Sequence, residues 1–371
     1  MSIRGFGLSK LLVFLLCWLT CSIAAAELRL ASWNIQNLGW NNDKSYEAVA
    51  RVASQFDFIA IQELMNEDGL TALVDELETK TNESWGTMFS APLGTSRYRE
   101  KYAFIWREGV IEYVDGAVLH LDDREQFARE PYSARFYAPE LDLNFIAATV
   151  HITYGERVTD RTPEVRALAA YWEWLADIYP EDRNQRILFG DFNLQPHHAA
   201  WAPLWEIAQP LITEGATTLS THDRQYANLY DNIIIPNDHN LPITGAGISK
   251  YPELLTQTTP HYWSHAKARA HVSDHAPVYL LLGNAALHPM NNGELHVPNR
   301  SNATQTPTAE LRCIDINTAS AERLEALPHI GPARAEAIIA GRPWAGYLEL
   351  IEISGITRER VREMVGEGVL C

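Results

Sequence analysis

Positive charge is what this sequence most lacks. Thirty Lys and Arg face 47 Asp and Glu, a formal net charge of −17. That excludes the broad basic surface on which nonspecific nucleic-acid binding usually rests. Any nucleic-acid partner must be met by bound cations, local arginines or backbone amides. Cysteine is scarce too, with 4 in 371 residues. Cys17 and Cys21 lie in the N-terminal leader, which leaves Cys313 and Cys371, too few for a disulfide-built scaffold. Long apolar runs are also missing. The most apolar stretch, residues 11–23, is short of the ~20 residues a spanning helix needs.

That stretch reads as the core of a secretory signal. Arg4 and Lys10 precede it, and Ala24-Ala25-Ala26 supplies the small-x-small pattern of cleavage after Ala26. The expectation for residues 1–26 is a signal peptide on a secreted or periplasmic protein, with no stable membrane association after cleavage. An uncleaved anchor is the competing reading. In an oxidising compartment Cys313 and Cys371 become a disulfide candidate closing the ends of a small C-terminal unit, with two free thiols as the alternative.

What is present from Glu27 onward is alternating periodicity. Residues 28–35, 58–61, 102–106, 141–150, 187–189, 233–235 and 278–282 read as strands. Residues 43–56, 70–77 and 163–178 place apolar side chains at helical spacing. Pro163 is expected in the first turn of its helix, where a missing N–H costs nothing. Strands packed with helices point to a layered α/β sandwich over residues 27–283 rather than a barrel. Residues 284–310, rich in Asn, Pro, Thr and Ser, read as a linker. Residues 311–371 read as four short helices, 319–327, 332–340, 347–353 and 358–365. Similar turns, Leu327-Pro328-His329-Ile330-Gly331 and Ile353-Ser354-Gly355-Ile356-Thr357, make it one hairpin used twice.

Short polar side chains punctuate the strand ends: Asn34, Glu63, Glu100, His151, Asp191, Asn193, Asp231, Asp274 and His275. Two motifs stand out, Gly190-Asp191-Phe192-Asn193 after one apolar run and Ser273-Asp274-His275 before another. Carboxylate, amide and imidazole converging on one phosphate and one divalent cation are the equipment of metal-assisted phosphate-ester hydrolysis. A lone strand-end Asp or His is more often a cap or surface group; the recurrence of these types argues for a site.

Seven stretches carry a resemblance: Ser32-Trp33-Asn34-Ile35-Gln36-Asn37, Ile61-Gln62-Glu63, Tyr98-Arg99-Glu100-Lys101-Tyr102, Thr149-Val150-His151, Gly190-Asp191-Phe192-Asn193, Tyr230-Asp231-Asn232-Ile233 and Ser273-Asp274-His275-Ala276-Pro277-Val278. In this order they resemble the endonuclease/exonuclease/phosphatase superfamily, and most its deoxyribonuclease I branch. That branch is also favoured by Phe127-Ala128-Arg129-Glu130-Pro131. The resemblance implies a four-layer α/β sandwich, DNA as substrate, and Mg²⁺ as cofactor with Mn²⁺ as the alternative. It implies Mg²⁺ at Glu63 with Asn34 and Asp274 around it, and His151 and His275 as base and acid oriented by Glu100 and Asp231. It further implies Asp191 positioning water and Asn193 donating to phosphate. Arg129 is a candidate phosphate contact, or else a surface ion pair with Glu130 or another acid. The calcium loops of the branch are poorly matched: Ala216 precedes Thr217-Thr218 where an acid is expected, and the loop at Asp122-Asp123 is short. The resemblance therefore lends structural Ca²⁺ no support.

The C-terminal unit resembles the tandem helix-hairpin-helix domain of competence-type DNA receptors, through Ile316-Asn317-Thr318-Ala319-Ser320 and 327–335. Glycines at such turns, here Gly331 and Gly355, leave backbone N–H groups to meet a phosphate. Ten acids over 310–371 exceed seven arginines, so a protein-interaction module is the alternative. The combined expectation is a monomeric, exported, metal-dependent deoxyribonuclease of low sequence specificity. A ribonuclease or other phosphodiesterase of the superfamily, or an inactive DNA-binding or uptake protein, is the rival.

Overall fold

The computed structural model describes residues 26–287 and 314–361, apart from 41–42, 96, 123, 222–225, 326, 328, 345–346 and 358–359. The expected signal peptide, most of the linker and both Cys313 and Cys371 lie outside the described residues. Among the described residues no helix is long and apolar enough to cross a membrane.

Among the described residues twelve strands form two six-stranded sheets. The first runs β11 (Ile243–Ile248), β12 (Val278–Gly283), β1 (Glu27–Leu38), β2 (Phe58–Leu64), β4 (Lys101–Arg107), β3 (Trp85–Phe89). The second runs β5 (Glu112–Leu119), β6 (Tyr132–Ala138), β7 (Leu143–His151), β8 (Arg186–Asp191), β10 (Asp231–Pro236), β9 (Ala208–Pro210). Both are mixed: β1 lies parallel to β2 and β7 parallel to β8, and the other pairings are antiparallel.

Side chains on a strand alternate between faces, and the two faces of the second sheet enter different cores. Phe145, Ala147, Ile187, Phe189, Ile233 and Ile235 join a core shared with the first sheet. There Phe58 packs edge-on against Phe136 and Phe145 at 5.0 and 5.6 Å between ring centroids. Ile146, Ala148, Val150, Leu188 and Ile234 face the other way, into a core with Val165, Leu168, Tyr171, Trp172 and Leu175 of α3 (Val158–Ile178) and Leu204 of α4 (Ala202–Trp205). The first sheet is backed by α1 (Tyr46–Ala53), α2 (Glu67–Thr81) and α5 (Tyr251–Thr258). Helices, sheet, sheet, helices is the four-layer sandwich that was expected.

Pro163 departs from expectation, because α3 starts five residues before it. The helix begins where the Asp160 carboxylate accepts from the N–H groups of Glu156 and Arg157, both at 2.9 Å. Pro163 has no N–H for the Thr159 carbonyl one turn back, and the Thr162 hydroxyl donates to that carbonyl at 3.1 Å instead. A local hydroxyl thus replaces the missing helix bond.

In the C-terminal unit, α7 (Ala321–Glu325) and α8 (Pro332–Ala340) flank the first turn; the expected third helix is a 3-10 helix, Tyr347–Glu352, and most of the fourth lies outside the described residues. Each of the two turns has one residue in left-handed backbone. The left-handed backbone falls on His329 (φ 67°) in the first and Gly355 (φ 82°) in the second. Gly331 has ordinary φ (−100°), caps α8, and has open space where a Cβ would stand.

Candidate active site

Register delivers the site. The parallel β7–β8 pair sets His151 opposite Asp191, and the antiparallel β8–β10 pair sets Asp231 opposite Asp191. Gly190 permits the first pairing, since a Cβ there would stand 2.5 Å from the Val150 carbonyl oxygen. Across the sandwich, β1 and β2 pair Asn34 with Gln62, and Glu63 follows in left-handed backbone (φ 60°). Asn37 and Asn193 share that conformation, at φ 55° and 49°. For Glu63 it costs about 1 kcal/mol or more, a strain held where the side chain is used.

Two imidazoles face one carboxylate. His151 Nε2 and His275 Nε2 lie 3.5 and 3.6 Å from Asp191 Oδ2. Behind each ring stands a second acid: Glu100 Oε1 is 2.7 Å from His151 Nδ1, and Asp231 Oδ2 is 2.8 Å from His275 Nδ1. Both histidines are almost fully buried, at 7% and 8% exposure. Burial works to lower each imidazole, but Glu100 and Asp191 raise His151 above its ordinary value, and Asp231 and Asp191 raise His275 well above it. Burial likewise works to raise Asp191, and the two imidazoles with the Asn34 and Asn193 donors hold it below the usual carboxylate range. For Asp231, burial, seconded by Asp191, raises the carboxyl despite the opposing pull of His275. The Asp231–His275 pair therefore holds its shared proton tightly.

The surroundings pin these groups. Asn34 Nδ2 donates to Glu63 Oε1 at 2.9 Å and to Asp191 Oδ2 at 3.0 Å. The Asn37 N–H donates to Glu63 Oε2 at 2.9 Å. Asn193 N–H donates to Asp191 Oδ1 at 3.0 Å, and its side-chain amide to the Ile152 carbonyl at 2.9 Å, which leaves one amide hydrogen for a ligand. Thr217, in the stretch compared with a calcium loop, accepts at Oγ1 from the N–H groups of Tyr230 and Asp231, both at 3.1 Å. The Ser273 hydroxyl donates to the Asn34 carbonyl at 2.6 Å and accepts from the His275 N–H at 3.0 Å, tying the segment that leads into β12 to β1.

Two assigned residues have more specific settings than their motifs implied. Arg129 is no surface group: its Nε donates to the His151 carbonyl at 3.0 Å and lies 3.5 Å from Glu100, so its acid partner is Glu100 rather than Glu130. Asp274 is partly exposed, pairs with Arg269 at 3.2 Å and stands 4.0 Å from His275.

Several supports escaped the motif reading. Arg161, buried on α3, donates from Nε to the Tyr154 carbonyl (2.7 Å) and from NH1 to the Asn193 carbonyl (2.6 Å) and the Tyr230 hydroxyl (3.1 Å). Its guanidinium lies 4.1 Å from the Tyr154 ring centroid. One turn on, buried Glu164 accepts from the Thr153 N–H at 3.4 Å and acts electrostatically on Arg129. Both sit in the turn around Pro163, and the i, i+3 spacing of an arginine and a glutamate on a buried helix face was the available signal. Lys44, pinned to the Val272 carbonyl at 2.7 Å, is lowered to about 8 by burial against the opposing pull of Asp274 and Glu63.

The donor set suits a hard divalent cation. Asp191, Asp231 and His275 offer ligand atoms within 4.8 Å of one another, but Asp231 and His275 there are engaged with each other, which leaves the oxygens around Glu63 as the cradle for an ion. Asn34 Oδ1, beside Glu63, is buried without a hydrogen-bond partner, as is Asp231 Oδ1. Buried orphan oxygens next to carboxylates are what Mg²⁺-type ions bind.

Two facing sheets that bring together paired carboxylate-backed imidazoles define a phosphate-ester hydrolase. More particularly, residues 31–275 match the endonuclease/exonuclease/phosphatase family, and the chain belongs to it. Residues 311–367 match the helix-hairpin-helix motif. The chain is 55% identical to a deoxyribonuclease of Thioalkalivibrio sp. (strain K90mix), over 96% of each chain. It is 26% identical to human deoxyribonuclease-1, over 74% of this chain and 98% of that one. Among solved structures, an endonuclease/exonuclease/phosphatase family protein from Bacteroides thetaiotaomicron superposes with TM-score 0.51 at 14% identity, covering 71% of this chain and 99% of that one, a likeness of fold.

Proposed function

We propose that this chain is an exported, monomeric deoxyribonuclease that uses Mg²⁺ to hydrolyse DNA phosphodiester bonds with little sequence preference. The observation that carries the chemistry is the pair of imidazole Nε2 atoms turned to one Asp191 oxygen, each backed by its own carboxylate. DNA as substrate is supported by the 55% identity to a deoxyribonuclease along nearly the whole chain.

A scissile phosphate between His151 and His275 has a proton acceptor on one side and a donor on the other. Asp191 holds a water against phosphorus. The water oxygen bonds to phosphorus as its proton passes to one imidazole. The ester P–O bond breaks, and its oxygen takes the Nε2 proton of the other imidazole. Glu100 and Asp231, on the Nδ1 atoms, hold the rings in the orientation and charge state this exchange needs. Asn193 keeps one amide hydrogen for a phosphate oxygen, and Arg129 places positive charge behind His151. Glu63, the Asn34 amide oxygen and Asp274 would hold Mg²⁺, which would supply neutralisation of phosphate charge. Gly331 and Gly355 mark the two hairpins that grip DNA backbone through uncharged amides.

Plasmid nicking with Mg²⁺, repeated with EDTA and beside an RNA substrate, tests the reading. Cleavage of DNA that EDTA abolishes and Mg²⁺ restores is expected. Metal-independent cleavage refutes the cation assignment, and preference for RNA refutes the substrate. Export is tested by fractionating expressing cells; retention of the uncut chain in the cytoplasm overturns it.

A further inference from the structure

The chain carries 47 acids, yet there is neither Asp nor Glu from Leu254 to Ser273. That interval holds Lys267 and Arg269, three histidines, Tyr262 and Trp263, and it ends on Asp274-His275 of the active site. It begins in α5 and continues into α6 (His265–His271), capped by Ser264, whose Oγ accepts from the Lys267 N–H at 3.1 Å. Lys267 is exposed, and its ammonium sits 4.2 Å from the Trp263 ring centroid, so the charge is held in place rather than free to sweep. Tyr262 is 76% exposed. Arg269 binds the Leu219 carbonyl at 2.6 Å and Asp274 at 3.2 Å. Lys44 bonds the Val272 carbonyl beside it, with its charge set against Asp274 and Glu63. The acid bounding the interval on its N-terminal side, Glu253, accepts from the Tyr226 hydroxyl at 3.4 Å.

We infer that α6 and the Tyr262–Trp263 turn form a binding strip that carries the substrate's phosphate backbone away from the reaction centre on the His275 side. A chain of net charge −17 repels a polyanion over most of its surface, so a local reversal of sign abutting a catalytic histidine sets where the polymer can lie. Lysine supplies the ion contact, and the exposed tyrosine ring supplies a face on which a sugar or base can stack. The strip acts on flanking nucleotides, so it matters for a polymer and not for a small diester. It rests on the nuclease reading above.

The test uses the full chain with Mg²⁺. Lys267→Glu, Lys267→Arg and Tyr262→Ala are compared with wild type on duplex DNA and on bis(4-nitrophenyl) phosphate, from about 50 to about 200 mM salt. Lys267→Glu is expected to raise KM for DNA about tenfold at low salt and to flatten the log–log salt dependence of kcat/KM by about one. Its kcat should hold, and Lys267→Arg should restore KM. Tyr262→Ala should raise KM for DNA without changing the salt slope. A Lys267→Glu variant with wild-type KM and slope overturns the strip, as does one losing diester and DNA turnover in equal proportion. Wild type that hydrolyses the diester but not DNA sinks the nuclease reading instead.

Discussion

Each imidazole facing Asp191 is held by one carboxylate behind its ring, so in the proposed mechanism the acids are as open to test as the bases. Asp231→Asn keeps shape but can present an N–H where His275 Nδ1 needs an acceptor. We expect kcat to fall ~10²–10⁴-fold with KM little changed, measured on plasmid and small diester alike; a change in KM alone would assign Asp231 to binding. Arg161 is a positioning residue, since it touches the Asn193 carbonyl and Tyr230, not the reacting atoms. Lysine cannot reproduce three bonds from one planar fork. Arg161→Lys should cost about tenfold in kcat, with an Mg²⁺ dependence like wild type. The one-letter pattern exposed the residues that converge on Asp191 because each sits in a short motif at a strand end. It did not expose Arg161 and Glu164, whose partners are a carbonyl 32 residues away and an arginine in another loop. Long-range bonds of that kind leave no local periodicity.

Elements differ in how much of themselves they write into sequence. Strands buried on both faces, such as β8 and β10, are continuous apolar runs and were readable. β5, exposed along most of its length, carries no such run, and its pairing with β6 is broken by register shifts, so neither strand was expected. The motif loop after β8 offers a prediction at this scale. His198, whose Nδ1 accepts from the Ala200 N–H at 3.1 Å, caps the 3-10 turn Ala199–Trp201. Burial lowers its pKa to about 4, with Arg166 and Arg161 adding to the effect. The folded value lies below the unfolded one, so the stability it contributes is complete above pH ~6.5. That contribution, up to about 3 kcal/mol, is lost as pH falls toward 4. Melting curves should show Tm dropping over that interval. His198→Asn, which keeps a capping oxygen without titrating, should flatten the drop; equal pH dependence in both proteins would show that His198 is not its source.

At the scale of the whole molecule the problem is a polyanion binding a polyanion. The hydrophobic cores separate cleanly: two are built from residues 28–287 and the third from residues 314–361, so each part has its own reason to fold. Removing 311–371 should therefore leave a folded catalytic domain with wild-type turnover of a small diester. On the proposed reading the hairpins hold DNA through backbone N–H groups, which no side-chain repulsion removes, and the tether makes the second contact intramolecular. KM for long DNA should accordingly rise roughly ten- to a hundredfold on truncation. The effect should shrink on oligonucleotides too short to span both domains. A truncated protein with unchanged KM on long DNA would make the C-terminal unit a protein-interaction module instead, the reading its excess of acids favours.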